Sequence, residues 1–318
     1  MQPMSEGGVT TPPSPPPTLP AALYQGSVNT WECDANRHMN VRFYLERAMT
    51  GLALMAQALE LRRDAATLTP LDMHVRFLRE AHVSAPLIMH GGVIECGDSD
   101  AVLALDMRHV DGTPSTTFRA HVAHAELQDL KPFRWSTRSR AAAQRLTCEP
   151  LAHGAPRAID IKAKPGSPSL ARAQSLGAGR IGAYVVTPDQ CDALGRMRGE
   201  HVLGRISDSV PHLFAAWRQQ TEQVGLKGNV SGAMVEARIL FRAWPRAGDL
   251  IEVHSGVVES GPKLSRIVHW LLDPSSSAAW ASVEAAAVTF DLNTRKVVAL
   301  PDELVALRRA QIVQGLSI

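Results

Sequence analysis

The sequence predicts an α+β chain of two tandem units, each a long helix followed by an antiparallel sheet. Three observations predict it. Two segments recur: Cys33-Asp34-Ala35 returns as Cys191-Asp192-Ala193 at an offset of 158, and Gly92-Val93-Ile94-Glu95-Cys96-Gly97 returns as Gly256-Val257-Val258-Glu259-Ser260-Gly261 at an offset of 164. Phe77 and His90 match Phe241 and His254 at the second offset. In each copy four strand-like segments follow one helical segment, which argues for an antiparallel sheet and against alternating crossover units. A chain of 318 residues is long enough for two cores.

The elements follow in order. Residues 1–22 contain seven prolines and no apolar segment, so they read as a disordered, polyproline-like arm and not as a secretory leader. The first unit, residues 23–130, opens with a strand expected over 25–32. A helix starts at Val41, with Asn40 as its N-cap. Tyr44, Ala48, Leu52, Met55 and Leu59 fall at steps of three or four, and Leu45, Met49, Ala53 and Ala56 widen that stripe almost around the cylinder. Such a helix is enclosed by its unit. Strands are expected over 73–79, 87–96, 101–110 and 116–127, with Asp111-Gly112 as a hairpin turn. Residues 131–179 read as a short basic helix (136–146) and a linker rich in Pro, Gly, Ser and Ala. The second unit, 180–318, repeats the order: a strand over 182–186, a helix over 202–220 that Pro211 must end or kink near Val210, then strands over 234–243, 250–260, 263–272 and 279–291.

Composition narrows the function. A net charge of +2 supplies no general attraction to nucleic acid or to an anionic membrane, so neither is expected as a partner. The local exception is the cluster Lys131, Arg134, Arg138, Arg140 and Arg145, which reads as a solvated helix face or as a site for phosphates. The four cysteines form no metal-binding or disulfide spacing; Cys33 and Cys191 read as small buried fillers, and no metal or other cofactor is expected. No apolar run approaches the length of a membrane helix, and the expected location is the cytoplasm.

The chemistry-bearing stretch is Asp34-Ala35-Asn36-Arg37-His38-Met39-Asn40, immediately before the enclosed helix. A carboxylate, a carboxamide and an imidazole at a helix mouth can activate water and polarise a carbonyl, and the first N–H groups of the helix, around residues 39–42, are donors at its positive end. Singly, each residue has a plainer role: Asp34 or Asn40 as a cap, His38 as a packed histidine, Glu80 as a surface strand residue. The whole string before an enclosed helix is what argues for catalysis. The second copy, Asp192-Ala193-Leu194-Gly195-Arg196-Met197, has arginine where the first has His38, and Arg198 at the position of Asn40.

This combination resembles the hotdog-fold acyl thioesterases, over most of residues 23–127 and 180–305. The resemblance implies a sheet wrapped around each long helix and two units fused into a double hotdog. Asp34 stands at the catalytic aspartate of 4-hydroxybenzoyl-CoA thioesterase-like enzymes, whose motif is Asp-x-x-Gly; Arg37 departs from that glycine and Gly195 keeps it. Asp34-x-Asn36-x-His38, with Asn40 following, matches the spacing in plant acyl-ACP thioesterases. Those enzymes also use a glutamate on the next strand, for which Glu80 is the nearest candidate.

The implied catalytic residues are Asp34, Asn36, His38 and Glu80, with Asp192 in the second copy. The implied substrate contacts are Met39, Asn40, Val41, Tyr44, Gly195, Arg196 and Met197. The implied substrate is an acyl-CoA or acyl-carrier-protein thioester of fatty acid metabolism, hydrolysed with Asp34 as general base or nucleophile. Its phosphates would meet the basic cluster, or Arg196 and Arg198. Unequal motifs imply one working site, with the second half supplying a wall. A hotdog acyl-CoA-binding module, or a hydratase or dehydratase, is the alternative. A homo-oligomer of such double chains is equally consistent with the pattern.

Overall fold

The structure is a computed structural model and describes residues 19–215, 217, 219 and 230–318. The first unit comprises β1 (Ala21–Ser27), α1 (Val41–Ala58), β2 (Ala66–Phe77), β3 (Pro86–Cys96), β4 (Asp100–His109) and β5 (Pro114–Glu126). α2 (Thr137–Arg145) and α3 (Leu170–Leu176) follow. The second unit comprises β6 (Gly179–Val185), α4 (Glu200–Leu213), β7 (Val230–Phe241), β8 (Leu250–Ser260), β9 (Leu264–Leu272), β10 (Ala279–Asp291) and α5 (Asp302–Arg309).

All ten strands form one antiparallel sheet in the order β1-β3-β4-β5-β2-β7-β10-β9-β8-β6. The second half of that order is the first half mirrored, so each unit contributes the same five-stranded arrangement. They join where β2 pairs with β7 from Asp72↔Leu240 to Arg76↔Glu236. The central pair, His74↔Arg238, occupies equivalent positions of the repeat, so a local two-fold axis passes through it. This is the double hotdog that the repeat and the element order predict.

Each helix packs against its own half-sheet, and the two helices touch. Asn40 Nδ2 donates to Ser207 Oγ at 2.8 Å, Gly204 faces the aliphatic stem of Arg42, and Gly199 faces Met49. These contacts run in opposite directions along the two chains, so α1 and α4 are antiparallel. A Cβ at Gly199 would sit 3.0 Å from the Met49 sulfur, so a larger residue there would have to shift the end of that side chain. One apolar cluster runs through both units, from Leu45, Leu52 and Met55 of α1 to Leu203 and Ile206 of α4 and Val283 of β10. Smaller clusters, such as Val257 with Ile267 and Leu300 with Leu304, belong to the second unit alone.

The linker crosses the junction and is fastened to it by buried polar groups. Glu236 accepts from His74 Nε2 at 2.9 Å and from the backbone N–H of Ala158. Burial pushes its carboxyl up, but the hydrogen bonds from His74, Ala158 and Arg157 outweigh this and hold it below the usual carboxylate range. Arg238 grips Asp72 and donates to the carbonyls of Asp160 and Ala163, and Arg76 donates to that of Ala155.

Several boundaries differ from expectation. The strand expected over 25–32 stops at Ser27, because Asn29 and Glu32 cap each other and wind Thr30–Glu32 into one 3-10 turn. β2 starts at Ala66, seven residues early: Pro70 is tolerated because β7 pairs only from Asp72 onward and that stretch has β5 on one side alone. The linker contains α3, and a final helix, α5, was not anticipated. Pro211 falls in the last turn of α4, which ends at Leu213. Residues 1–18 of the arm and positions 216, 218 and 220 of the expected helix lie outside the described residues.

Candidate active site

The motif loop is shaped by its own backbone. Asp34 N–H donates to His38 O at 3.0 Å, Arg37 N–H to Asp34 O at 3.0 Å, and Asn36 N–H to Asp34 Oδ1 at 2.8 Å. The second copy makes the same bonds: Asp192 to Arg196 O at 2.7 Å, Gly195 to Asp192 O at 3.0 Å, and Leu194 to Asp192 Oδ1 at 2.8 Å. Both loops need a left-handed residue at their fourth position. Gly195 provides it at φ +75°, and Arg37 adopts it at φ +64°. The missing glycine therefore leaves the turn intact, at a cost of about 1 kcal/mol.

This turn aims His38 between two carboxylates. His38 Nδ1 lies 3.6 Å from Asp34 Oδ2, and Nε2 lies 3.6 Å from Glu80 Oε1. His38 is mostly buried, its Nε2 has no hydrogen-bond partner among the described residues, and both acids are partly open to solvent. Both separations are just beyond direct hydrogen bonding.

Glu80 is placed by Tyr44. The buried Tyr44 hydroxyl accepts from Ala81 N–H at 2.9 Å, while Ala81 O accepts from Met39 N–H at 2.8 Å. The chain end after β2 is thus clamped to the motif. Burial pushes the Tyr44 phenol up to about 12, so it stays protonated.

The second unit closes the cluster. Arg295, in the loop after β10, lies 3.6 Å from Glu80 Oε2, donates to Asn36 O at 3.3 Å, and covers the Phe290 ring. The Phe290 ring is 6.5 Å from that of His38. His82 Nε2 approaches Glu80 Oε2 at 3.9 Å. None of these three emerges from the motif string. His82 is the one with a local signal, two residues beyond Glu80, whereas Phe290 and Arg295 are brought in only by the sheet junction.

The expected row of free donors at the helix mouth is corrected. Met39 N–H is taken by Ala81 O, Asn40 N–H by Glu32 O, and Arg42 N–H by the capping Asn40 side chain, leaving Val41 N–H without an acceptor among the described residues. Met39 and Met197 are buried core anchors.

The second motif is differently wired. Asp192 Oδ2 is held by Arg196 at 3.0 Å and Oδ1 by the backbone of Leu194 and Arg196. Arg196 is buried and also donates to Leu127 O at 2.9 Å. Trp244, stacked on Phe241, stands at the repeat position of Glu80. Arg198 is spent on Glu200 at 2.7 Å and on two backbone carbonyls. The two motifs sit at opposite ends of the helix pair, so Asp34, Asn36, His38 and Glu80 come together and Asp192, Gly195 and Arg196 stand apart. The basic cluster is elsewhere again. Arg138 and Arg145 pair with Glu60, and Arg134 and Arg140 approach Asp98. Glu60 follows the far end of α1, about 27 Å from the motif for a helix of that length.

A cavity of about 530 Å³ lies in the second unit, between the end of α4 (Val210, Pro211, Phe214) and β7, β9 and β10. Thr289 on its wall adjoins Phe290 in sequence, one residue from the ring that faces His38.

Comparison with known proteins fits this architecture. Among solved structures the chain is similar to one described as an oleoyl thioesterase from Lactobacillus plantarum, at 12% identity over 85% of this chain and 97% of that one, with a TM-score of 0.64. It is similar to a 12:0-ACP thioesterase from Umbellularia californica, at 10% identity over 84% and 93%, with a TM-score of 0.63. An acyl-ACP thioesterase from Bacteroides thetaiotaomicron shares 13% identity over 83% and 96%, with a TM-score of 0.58. At these identities the likeness is one of fold. No curated protein matches the sequence. Residues 28–143 and 186–307 each match the family model described as the thioesterase-like superfamily, one match per unit, and the chain belongs to that superfamily.

Proposed function

We propose that the chain hydrolyses acyl-CoA thioesters, with one working site in the first unit. The observation that carries this is His38 held between Asp34 and Glu80 beside the start of α1, in a repeat whose other copy has Arg196 and Trp244 at the matching positions. Water attacks the thioester carbonyl, the C–S bond breaks, and the products are the free acid and the thiol. Asp34 removes the proton from water or attacks the carbonyl itself. His38 passes a proton between the two carboxylates and the departing sulfur. The Val41 N–H, at the positive end of α1, stabilises the developing oxyanion. Arg295 and Tyr44 position Glu80, and the cavity of the second unit is the candidate space for the acyl chain.

The test is thiol release from a panel of acyl-CoA esters by wild type, Asp34→Asn, Glu80→Gln and Asp192→Asn. The first two variants should lose at least about 100-fold in kcat, in line with removal of an acid–base group, and the third should stay within about threefold of wild type. Full activity in Asp34→Asn with collapse in Asp192→Asn would move the working site to the second unit. Failure to hydrolyse any ester, on CoA or on a carrier protein, would favour a binding module.

A further inference from the structure

The cavity of the second unit contains a group that a plain alkyl chain would not need. Arg308, from α5, is 7% exposed and lines it. Its Nε has no hydrogen-bond partner, and no carboxylate pairs with it among the described residues. The guanidinium lies 4.1 Å over the Trp217 ring. A cation–π contact offsets only part of the cost of desolvating a guanidinium that has no counter-ion among the described residues. Burial lowers the Arg308 pKa to about 10, so it remains a cation at neutral pH.

The repeat shows that this chemistry is particular to the second unit. In the first, the sheet face opposite the helix carries Gly91 and Leu105; the equivalent positions here are Ser255 and His269, joined at 2.7 Å. His269 lines the cavity and burial pushes it down to about 3, so it is a neutral polar group there and not a second charge. The helix differs too. Ala53 of α1 is matched by Pro211, two residues before α4 ends, and Pro211 itself lines the cavity. The remaining walls, such as Val210, Met234 and Ile267, are apolar.

We infer that this cavity binds an aliphatic chain ending in a carboxylate, with Arg308 as its counter-ion. Two sources share that chemistry: an acyl thioester carrying a second, distal carboxylate, and a free fatty acid such as the hydrolysis product. The first source rests on the proposed thioesterase activity; the second does not.

Calorimetric titration with decanoate and with 1-decanol tests the site. Decanoate should bind at least tenfold tighter than the alcohol, and Arg308→Met should abolish that difference. Equal affinity for acid and alcohol, or no binding of either, overturns the inference. Because this comparison uses the wild-type chain, it decides the matter even where Arg308→Met fails to fold.

Hydrolysis of ω-carboxydecanoyl-CoA against decanoyl-CoA separates the sources. A preference for the carboxylated ester that Arg308→Met removes identifies the thioester. A preference for the plain ester, with decanoate inhibiting the wild type but not Arg308→Met, identifies the free acid. A chain that binds decanoate through Arg308 yet cleaves no thioester would refute the proposed function and leave this inference standing.

Discussion

Tyr44 shows how a buried hydroxyl fixes the backbone beside a residue of the proposed site. Its hydroxyl is the acceptor for Ala81 N–H, next to Glu80. Tyr44→Phe leaves that N–H buried and unpaired, so stability should fall by about 1–3 kcal/mol, read from the urea midpoint. Loosening Glu80 should also lower kcat about tenfold. Arg37→Gly should do the reverse to stability: relieving the left-handed arginine gains up to about 1 kcal/mol, visible as a higher Tm with activity retained. At this scale the sequence was half legible. Asp34, Asn36 and His38 are local in the chain and could be found as a string. Arg295 and Phe290 reach them from more than 250 positions away, and only the pairing of β2 with β7 supplies that proximity.

At the scale of elements, Asn40 joins two helices. It caps α1 through Arg42 N–H and donates to Ser207 on α4. Asn40→Ala should therefore cost about 1–2 kcal/mol, toward the upper end of cap losses, because the cross-unit bond goes with the cap. Chemical denaturation of the two proteins measures it. The strands were the most readable elements, since alternation bounded by turn residues marks them directly: β8 and β10 fall where the pattern puts them. β1 was misplaced because side-chain capping at Asn29 overrides strand propensity. α3 and α5, at seven and eight residues, are too short to show helical periodicity above the noise of a linker. α5 packs on β8 as α2 packs on β3, so it completes the repeat.

The whole molecule responds to acid through groups buried in both its helix interface and its sheet. His201, at the start of α4, is pushed down to about 3 by burial and then by Arg42, Arg198 and Arg205. It is neutral in the fold but titrates near 6.5 once unfolded, so the unfolded chain takes up the proton first. Stability is complete above about pH 6.5 and declines as pH falls toward 3. Glu236, held below the usual carboxylate range, acts in the same direction at lower pH. Between pH 7 and pH 4.5 His201 should cost about 2–3 kcal/mol; His269, also pushed down to about 3 by burial, acts in the same direction, so His201→Gln should remove about half of the decline and not all of it.

The fastened linker has a consequence for inheritance. In a symmetric homodimer every substitution appears twice, so a residue that suits a catalytic mouth must also suit its duplicate. Here the two copies share one polypeptide and one junction but not one codon per position. Glu80 and Trp244, His38 and Arg196, Leu105 and His269 are pairs that could drift apart without consulting each other. A repeat carried on one polypeptide presents two separately editable surfaces, and this chain has a motif on one side and a cavity lined by Arg308 on the other.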